Sequence, residues 1–177
     1  GLVGSEMCIR DSFVTNDKMP NFLYHNEGQG AFKEVALRAG VYANENANMV
    51  SGMGCDFNDF NNDGLPDIFY ADLINESFTL FVNLGESLFQ DVTFPSKVGF
   101  LSAPHSGWSN KICDLDNDGW KDILVTGSHV VDNVELYDSR ARYKESCFFY
   151  RNLGNGKFED LTGQLGPDFQ VVGGFRG

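Results

Sequence analysis

The stretch Asp114-Leu115-Asp116-Asn117-Asp118-Gly119-Trp120-Lys121-Asp122 sets four carboxylates around one glycine. Nearly the same stretch stands 55 residues earlier, as Asp59-Phe60-Asn61-Asn62-Asp63-Gly64-Leu65-Pro66-Asp67. A hard divalent cation takes six to eight oxygens, and a loop of this grammar can supply them. Side-chain oxygens come from positions 1, 3, 5 and 9, which are Asp59, Asn61, Asp63 and Asp67 in one copy and Asp114, Asp116, Asp118 and Asp122 in the other. The backbone carbonyls of Leu65 and Trp120, at position 7, complete each set. Asp, Asn and Gly also favour turns that bind nothing, but turn chemistry alone does not set acceptors at these four positions twice. Bare carboxylates so close together would also repel one another and raise their pKa values. The spacing therefore predicts two calcium loops inside a repeating unit. Magnesium keeps its waters and is seldom held in an all-protein cage.

The rest of the repeat is strand and turn. Phe22 to Val35, Leu80 to Val92 and Phe149 to Leu161 each read as an aromatic strand, an Asn/Gly-rich turn and a second strand, with Asn26, Asn83 and Asn152 in register, followed by Gly28, Gly85 and Gly154. After each Asp loop comes a short apolar run, Ile68 to Ala71 or Ile123 to Thr126, expected to be a strand buried on both faces. The unit is strand, calcium loop, strand, connection, strand, Asn/Gly turn, strand, which describes a propeller blade. The expected fold is all-β, part of an integrin-like β-propeller of four-stranded antiparallel blades. Residues 22–35 end one blade, 49–93 and 106–162 form two more, and 171–177 begin the next. On this reading the chain is a piece of a longer propeller, cut at both ends.

The second blade carries an insertion. Asp67 to Asn83 spans 16 positions and Asp122 to Asn152 spans 30, so 14 extra residues lie between the second and third strands. Alternating strand direction puts that insertion on the propeller face opposite the Asp loops, together with His105 and His129 but not His25. Tyr137, Arg140, Arg142 and Tyr143 in it are residue types enriched at interfaces. These four and the two histidines are the candidate partner-binding residues.

A formal charge of −12 argues against nucleic acid as a partner, because that needs a basic footprint. No apolar run reaches 18 residues, so no membrane-spanning helix is expected. Residues 2–12 resemble a translated sequencing adapter, and 1–12 are set aside as a non-native tail. Without Glu6, Arg10 and Asp11 the net charge is still −11. Cys55, Cys113 and Cys147 show neither CxxC spacing nor repeat-equivalent positions, so they are expected to be buried strand residues and not a disulfide framework or a zinc site.

The two Asp loops and the three Asn-x-Gly hairpins resemble FG-GAP/VCBS-type repeats. Gly107-Trp108-Ser109, Asp118 to Ile123 and Gly127 to Glu135 resemble, more narrowly, the ASPIC/UnbV group, which includes the cartilage acidic proteins. The resemblance implies an integrin-like propeller with calcium in its blade loops, in a secreted, periplasmic or cell-surface protein. Asn61 stands where the family usually has Asp, and Ser87 where the hairpin often has Gly. With three carboxylates, the first loop is expected to bind calcium more weakly than the second. The function that follows is a calcium-stabilised, non-catalytic binding or adhesion module for a protein or glycan ligand. A lectin is the alternative if Trp108 or Trp120 is exposed to stack on a sugar. A propeller hydrolase or lyase would have to use Asp132, Glu135 and Asp138 near His129, with no nucleophile motif or phosphate loop beside them.

Overall fold

The structure is a computed structural model that describes residues 11–171 and 173. Its strands form three antiparallel sheets. The first holds β1 (Ser12–Val14), β2 (Phe22–Gly28) and β3 (Ala31–Glu34). A short helix, α1 (Ala36–Ala39), follows it. The second sheet is a meander of β4 (Cys55–Asn58), β5 (Asp67–Tyr70), β6 (Thr79–Gly85) and β7 (Leu88–Asp91). After α2 (Val98–Ser102) comes the third, of β8 (Gly107–Cys113), β9 (Asp122–Gly127), β10 (Phe148–Asn152) and β11 (Phe158–Asp160). Within each four-stranded sheet every strand pairs with the next in sequence, as a propeller blade requires.

The alternation of a strand's side chains explains how the blades stack. Ile68 and Tyr70 of β5 point into one core with Leu23, Val41, Val50 and Phe81. Phe69 and Ala71 point into the other, with Phe78, Ile112, Ile123, Val125, Phe148 and Tyr150. The middle sheet is thus apolar on both sides because it has a neighbour on both, and all four residues of β5 are buried. The expectation of two buried faces fails for β9. Ile123 and Val125 are buried while Leu124 and Thr126 are only half-buried, since among the described residues only one face of the third sheet has a sheet packed on it.

Of residues 1–12, those up to Arg10 lie outside the described residues. Ser12 pairs with Tyr24 at the start of β1, and the Asp11 carboxylate accepts the Asn26 backbone N–H and touches His25 Nδ1 at 3.0 Å. Most of residues 171–177 also lie outside the described residues, although Gly173 forms an antiparallel bridge with Glu145. The expected burial of the cysteines is corrected. Cys55 is exposed at the head of the edge strand β4, and Cys113 and Cys147 are partly exposed; all three are free thiols.

Candidate metal centre and the opposite face

The two Asp loops close with the same set of side-chain to backbone bonds. In the first, Asp59 accepts the N–H groups of Asp63 and Gly64 at 3.1 and 3.0 Å. In the second, Asp114 accepts those of Asp118 and Gly119 at 3.1 and 3.0 Å. The position-3 side chain accepts the position-5 N–H in both, from Asn61 at 3.0 Å and from Asp116 at 3.1 Å. Such tight turns need left-handed backbone at two places. Asn62 and Asn117 take φ 60°, Gly64 φ 89° and Gly119 φ 90°, conformations that Asn tolerates and Gly adopts freely.

The position-9 carboxylates do more than face the loop. Asp67, fully buried, accepts Phe60 N–H at 3.0 Å and Asn83 N–H at 2.9 Å, one on each oxygen. Asp122 does the same with Leu115 and Asn152. Each therefore clasps its loop to the Asn/Gly hairpin of the same blade. Burial pushes Asp67 up to about 6; the two N–H bonds oppose that and the Asp63 and Asp59 charges add to it. Burial likewise raises Asp122, against its two N–H bonds and with help from Asp116 and Asp118. A bound cation acts in the opposite direction, favouring the ionised forms.

The hairpins repeat as faithfully. The side-chain oxygens of Asn26, Asn83 and Asn152 accept the N–H of Gly28, Gly85 and Gly154 at 2.8, 2.9 and 3.0 Å. Over those turns lie the position-7 side chains. A Cβ on Gly154 would sit 2.7 Å from the Trp120 indole, and one on Gly85 would sit 3.8 Å from Leu65 Cδ1.

The loops differ in charge. Carboxylate oxygens of Asp114, Asp116 and Asp122 come within 4.8 Å of one another, a set able to hold a metal ion. The first loop forms no such three-carboxylate group among the described residues; there Asn61 stands in place of Asp116 and donates to Asp63 at 2.8 Å. Its amide oxygen is still a suitable neutral ligand for a hard cation, so both donor sets fit calcium chemistry. The second loop also carries its own counterion, which sequence reasoning missed. Arg151 bonds Asp116 Oδ2 at 2.7 Å and Asp118 Oδ2 at 3.0 Å, whereas Val82 holds the equivalent place beside Asn83 in the other blade. The second loop keeps one more carboxylate than the first, offset by Arg151 and by Lys121 within the loop itself.

On the opposite face the candidate residues separate. His129 is 8% exposed and its Nδ1 accepts Val131 N–H at 3.0 Å, so it braces the root of the insertion. His105 is 2.8 Å from Glu145 and packs against Phe148, with ring centroids 4.2 Å apart. Tyr137 is 78% exposed, as is Leu136. Arg140 pairs with Asp138, which it holds down to about 2. Arg142 is exposed and donates to the Ser139 and Ala141 carbonyls, and half-buried Tyr143 donates its N–H to Glu135. The indoles are half-buried too, and Trp108 Nε1 donates to Ser128 C=O at 2.9 Å. No helix among the described residues is long and apolar enough to cross a membrane.

Comparison with known proteins agrees with this architecture. Residues 59–125, which run from the first Asp loop into β9, match the FG-GAP-like repeat family. Cartilage acidic protein 1 of Mus musculus is 34% identical over 169 residues, covering 93% of this chain and 24% of that protein. Its Homo sapiens counterpart is 34% identical over 169 residues, covering 93% and 23%. The Xenopus tropicalis protein is 32% identical over 116 residues, covering 61% and 16%. The chain thus spans about a quarter of the length of the first two relatives. Its four-stranded meanders are built as propeller blades are; residues 59–125 resemble FG-GAP-like repeats, and across nearly all its length the chain resembles cartilage acidic protein 1.

Proposed function

We propose that this chain is part of a calcium-stabilised, non-catalytic binding or adhesion module of a secreted, periplasmic or cell-surface protein. The observation that carries the reading is the convergence of Asp114, Asp116 and Asp122 on one point, in a loop whose backbone is duplicated 55 residues earlier. Asp59, Asn61, Asp63, Asp67 and the Leu65 carbonyl would hold one ion. Asp114, Asp116, Asp118, Asp122 and the Trp120 carbonyl would hold the other. The ion's work is structural: it relieves the repulsion among the carboxylates and fixes the turn between two strands, and by mass action it stabilises the folded state. Extracellular modules bind calcium with Kd of about 10⁻⁴ to 10⁻³ M, suited to the concentrations outside a cell.

The partner, a protein or a glycan, would meet the opposite face, where the insertion offers Leu136, Tyr137 and Arg142 to solvent. A non-catalytic reading is favoured by the engagement of His105 and His129 in the fold, which leaves Asp132, Glu135 and Asp138 without a free imidazole beside them. A thermal melt in EDTA, followed by calcium titration to several millimolar with magnesium as control, tests the cation half. A calcium-specific rise in midpoint is expected. A folded chain whose midpoint ignores calcium would remove the reading.

A further inference from the structure

We propose that the two Asp loops act as a coupled pair, and that Asn152 and Asn62 are the positioning residues that join them; this rests on the cation reading above. An unbroken path runs between the two position-9 carboxylates. Asp67 Oδ2 accepts Phe60 N–H at 3.0 Å, and the carbonyl of the same residue accepts Asn152 Nδ2 at 2.9 Å. Asn152 backbone N–H then donates to Asp122 Oδ1 at 2.9 Å, while its Nδ2 also holds the Lys121 carbonyl at 2.9 Å. Every side chain on this path is at most 2% exposed. Displacing one carboxylate therefore displaces the hydrogen-bond partner of the other.

A second tie lies at the rim. Asn62 Nδ2 donates to the Gly119 carbonyl at 2.9 Å, and its Oδ1 accepts Lys121 Nζ at 3.1 Å. Asn62 thereby fixes the peptide that precedes Trp120, whose carbonyl is a ligand of the second loop. Its own φ of 60° is set by the tight turn of the first loop. Ordering either loop therefore spares the other part of its ordering entropy, which gives positive coupling. Coupling between binding sites typically amounts to about 5- to 150-fold in affinity, and it is reciprocal. With two short ties and ions that repel one another, the low end, about fivefold, is expected.

Position 7 provides a selective probe, since it is Trp in the second loop and Leu in the first. Terbium(III) luminescence excited through Trp120 therefore reports occupancy of the second loop. In the full chain, Asp63→Ala disables the first loop, and the terbium half-saturation at the second should rise about fivefold. In an Asn62→Gly background, which keeps the left-handed turn and removes only the side chain, the same substitution should have a markedly smaller effect. Asn62 is exposed, so this variant folds even if Asn152→Ala does not. An effect of Asp63→Ala that persists undiminished in the Asn62→Gly chain would mark through-space charge and overturn the proposal. A second loop that binds terbium, releases it to calcium and ignores Asp63→Ala would overturn the coupling alone. No calcium-displaceable terbium signal in the unaltered chain would overturn the cation reading together with the coupling.

Discussion

The two Asp loops share a backbone but not a role for their second residue, and the difference gives a matched pair of mutations. Phe60 is 2% exposed and its ring lies 5.6 Å from that of Phe158, inside the core between the second and third sheets. Leu115, at the same loop position one blade later, is 43% exposed. Truncating a buried Phe to Ala costs about 3–5 kcal/mol, through lost transfer energy and the cavity left behind. The aromatic pair contributes about 0.5–1.5 kcal/mol of this. Leu115→Ala, at a surface position, should stay within about 0.5 kcal/mol. For a chain of this size each kcal/mol moves the midpoint by about 2–4 °C. Phe60→Ala should therefore melt about 6–20 °C below the parent, and Leu115→Ala within about 2 °C of it. Phe60→Leu, which keeps most of the volume, should cost about 1 kcal/mol and guards against a variant too unstable to melt. Thermal melts in excess calcium, followed by circular dichroism, make the comparison. Equal losses for Phe60→Ala and Leu115→Ala would refute the argument that the first loop plugs an inter-blade core.

Two further predictions concern groups outside the Asp loops. Asp72 is fully buried, one oxygen accepts Thr79 Oγ1 at 3.1 Å, and the other has no hydrogen-bond partner among the described residues; burial raises its pKa well above the usual value, opposed by the Thr79 bond and aided by Glu76. A raised folded-state pKa means its stabilising contribution is complete below about pH 3.8 and is lost as pH rises through the folded value. Asp72→Asn should therefore raise the urea midpoint above the parent at pH 8 and flatten its decline with pH; a lower midpoint at pH 8 would contradict the burial argument. Gly107 has no room for a methyl group, because a Cβ there would lie 2.7 Å from Phe78 Cζ and 2.8 Å from both Ala71 Cβ and Val125 Cγ1. Gly107→Ala should cost about 1–3 kcal/mol by overpacking, visible as a lower urea midpoint at unchanged slope.

Much of this was legible in the chain. Asp59 to Asp67 and Asp114 to Asp122 predict their own hydrogen bonds, because a loop in which Asp, Asn and Gly follow one another at fixed offsets is closed by local side-chain to backbone bonds. The Asn/Gly hairpins are legible for the same reason. What escaped is tertiary. Helices α1 and α2 are four and five residues long, without a side-chain cap, and Lys97 enters α2 at φ 73°; nothing so short has a periodicity to read. The Arg151 clamp joins residues 33 to 35 positions apart, and strand pairing alone brings them together. Strand direction places His129 on the face opposite the Asp loops but does not show how its ring is used; its bond to Val131 N–H folds it inward.

The insertion is closed at its neck. Ser128 bridges Lys144, and both the Ser128 hydroxyl and the His129 N–H bond the Tyr143 carbonyl, each at 3.0 Å. What lies beyond the neck is therefore a cassette, anchored by β9 and β10 and remote from the Asp loops at the other ends of those strands. Changes to the exposed residues beyond the neck, Leu136 and Tyr137 among them, should therefore reach the Asp loops only through the length of β9 and β10.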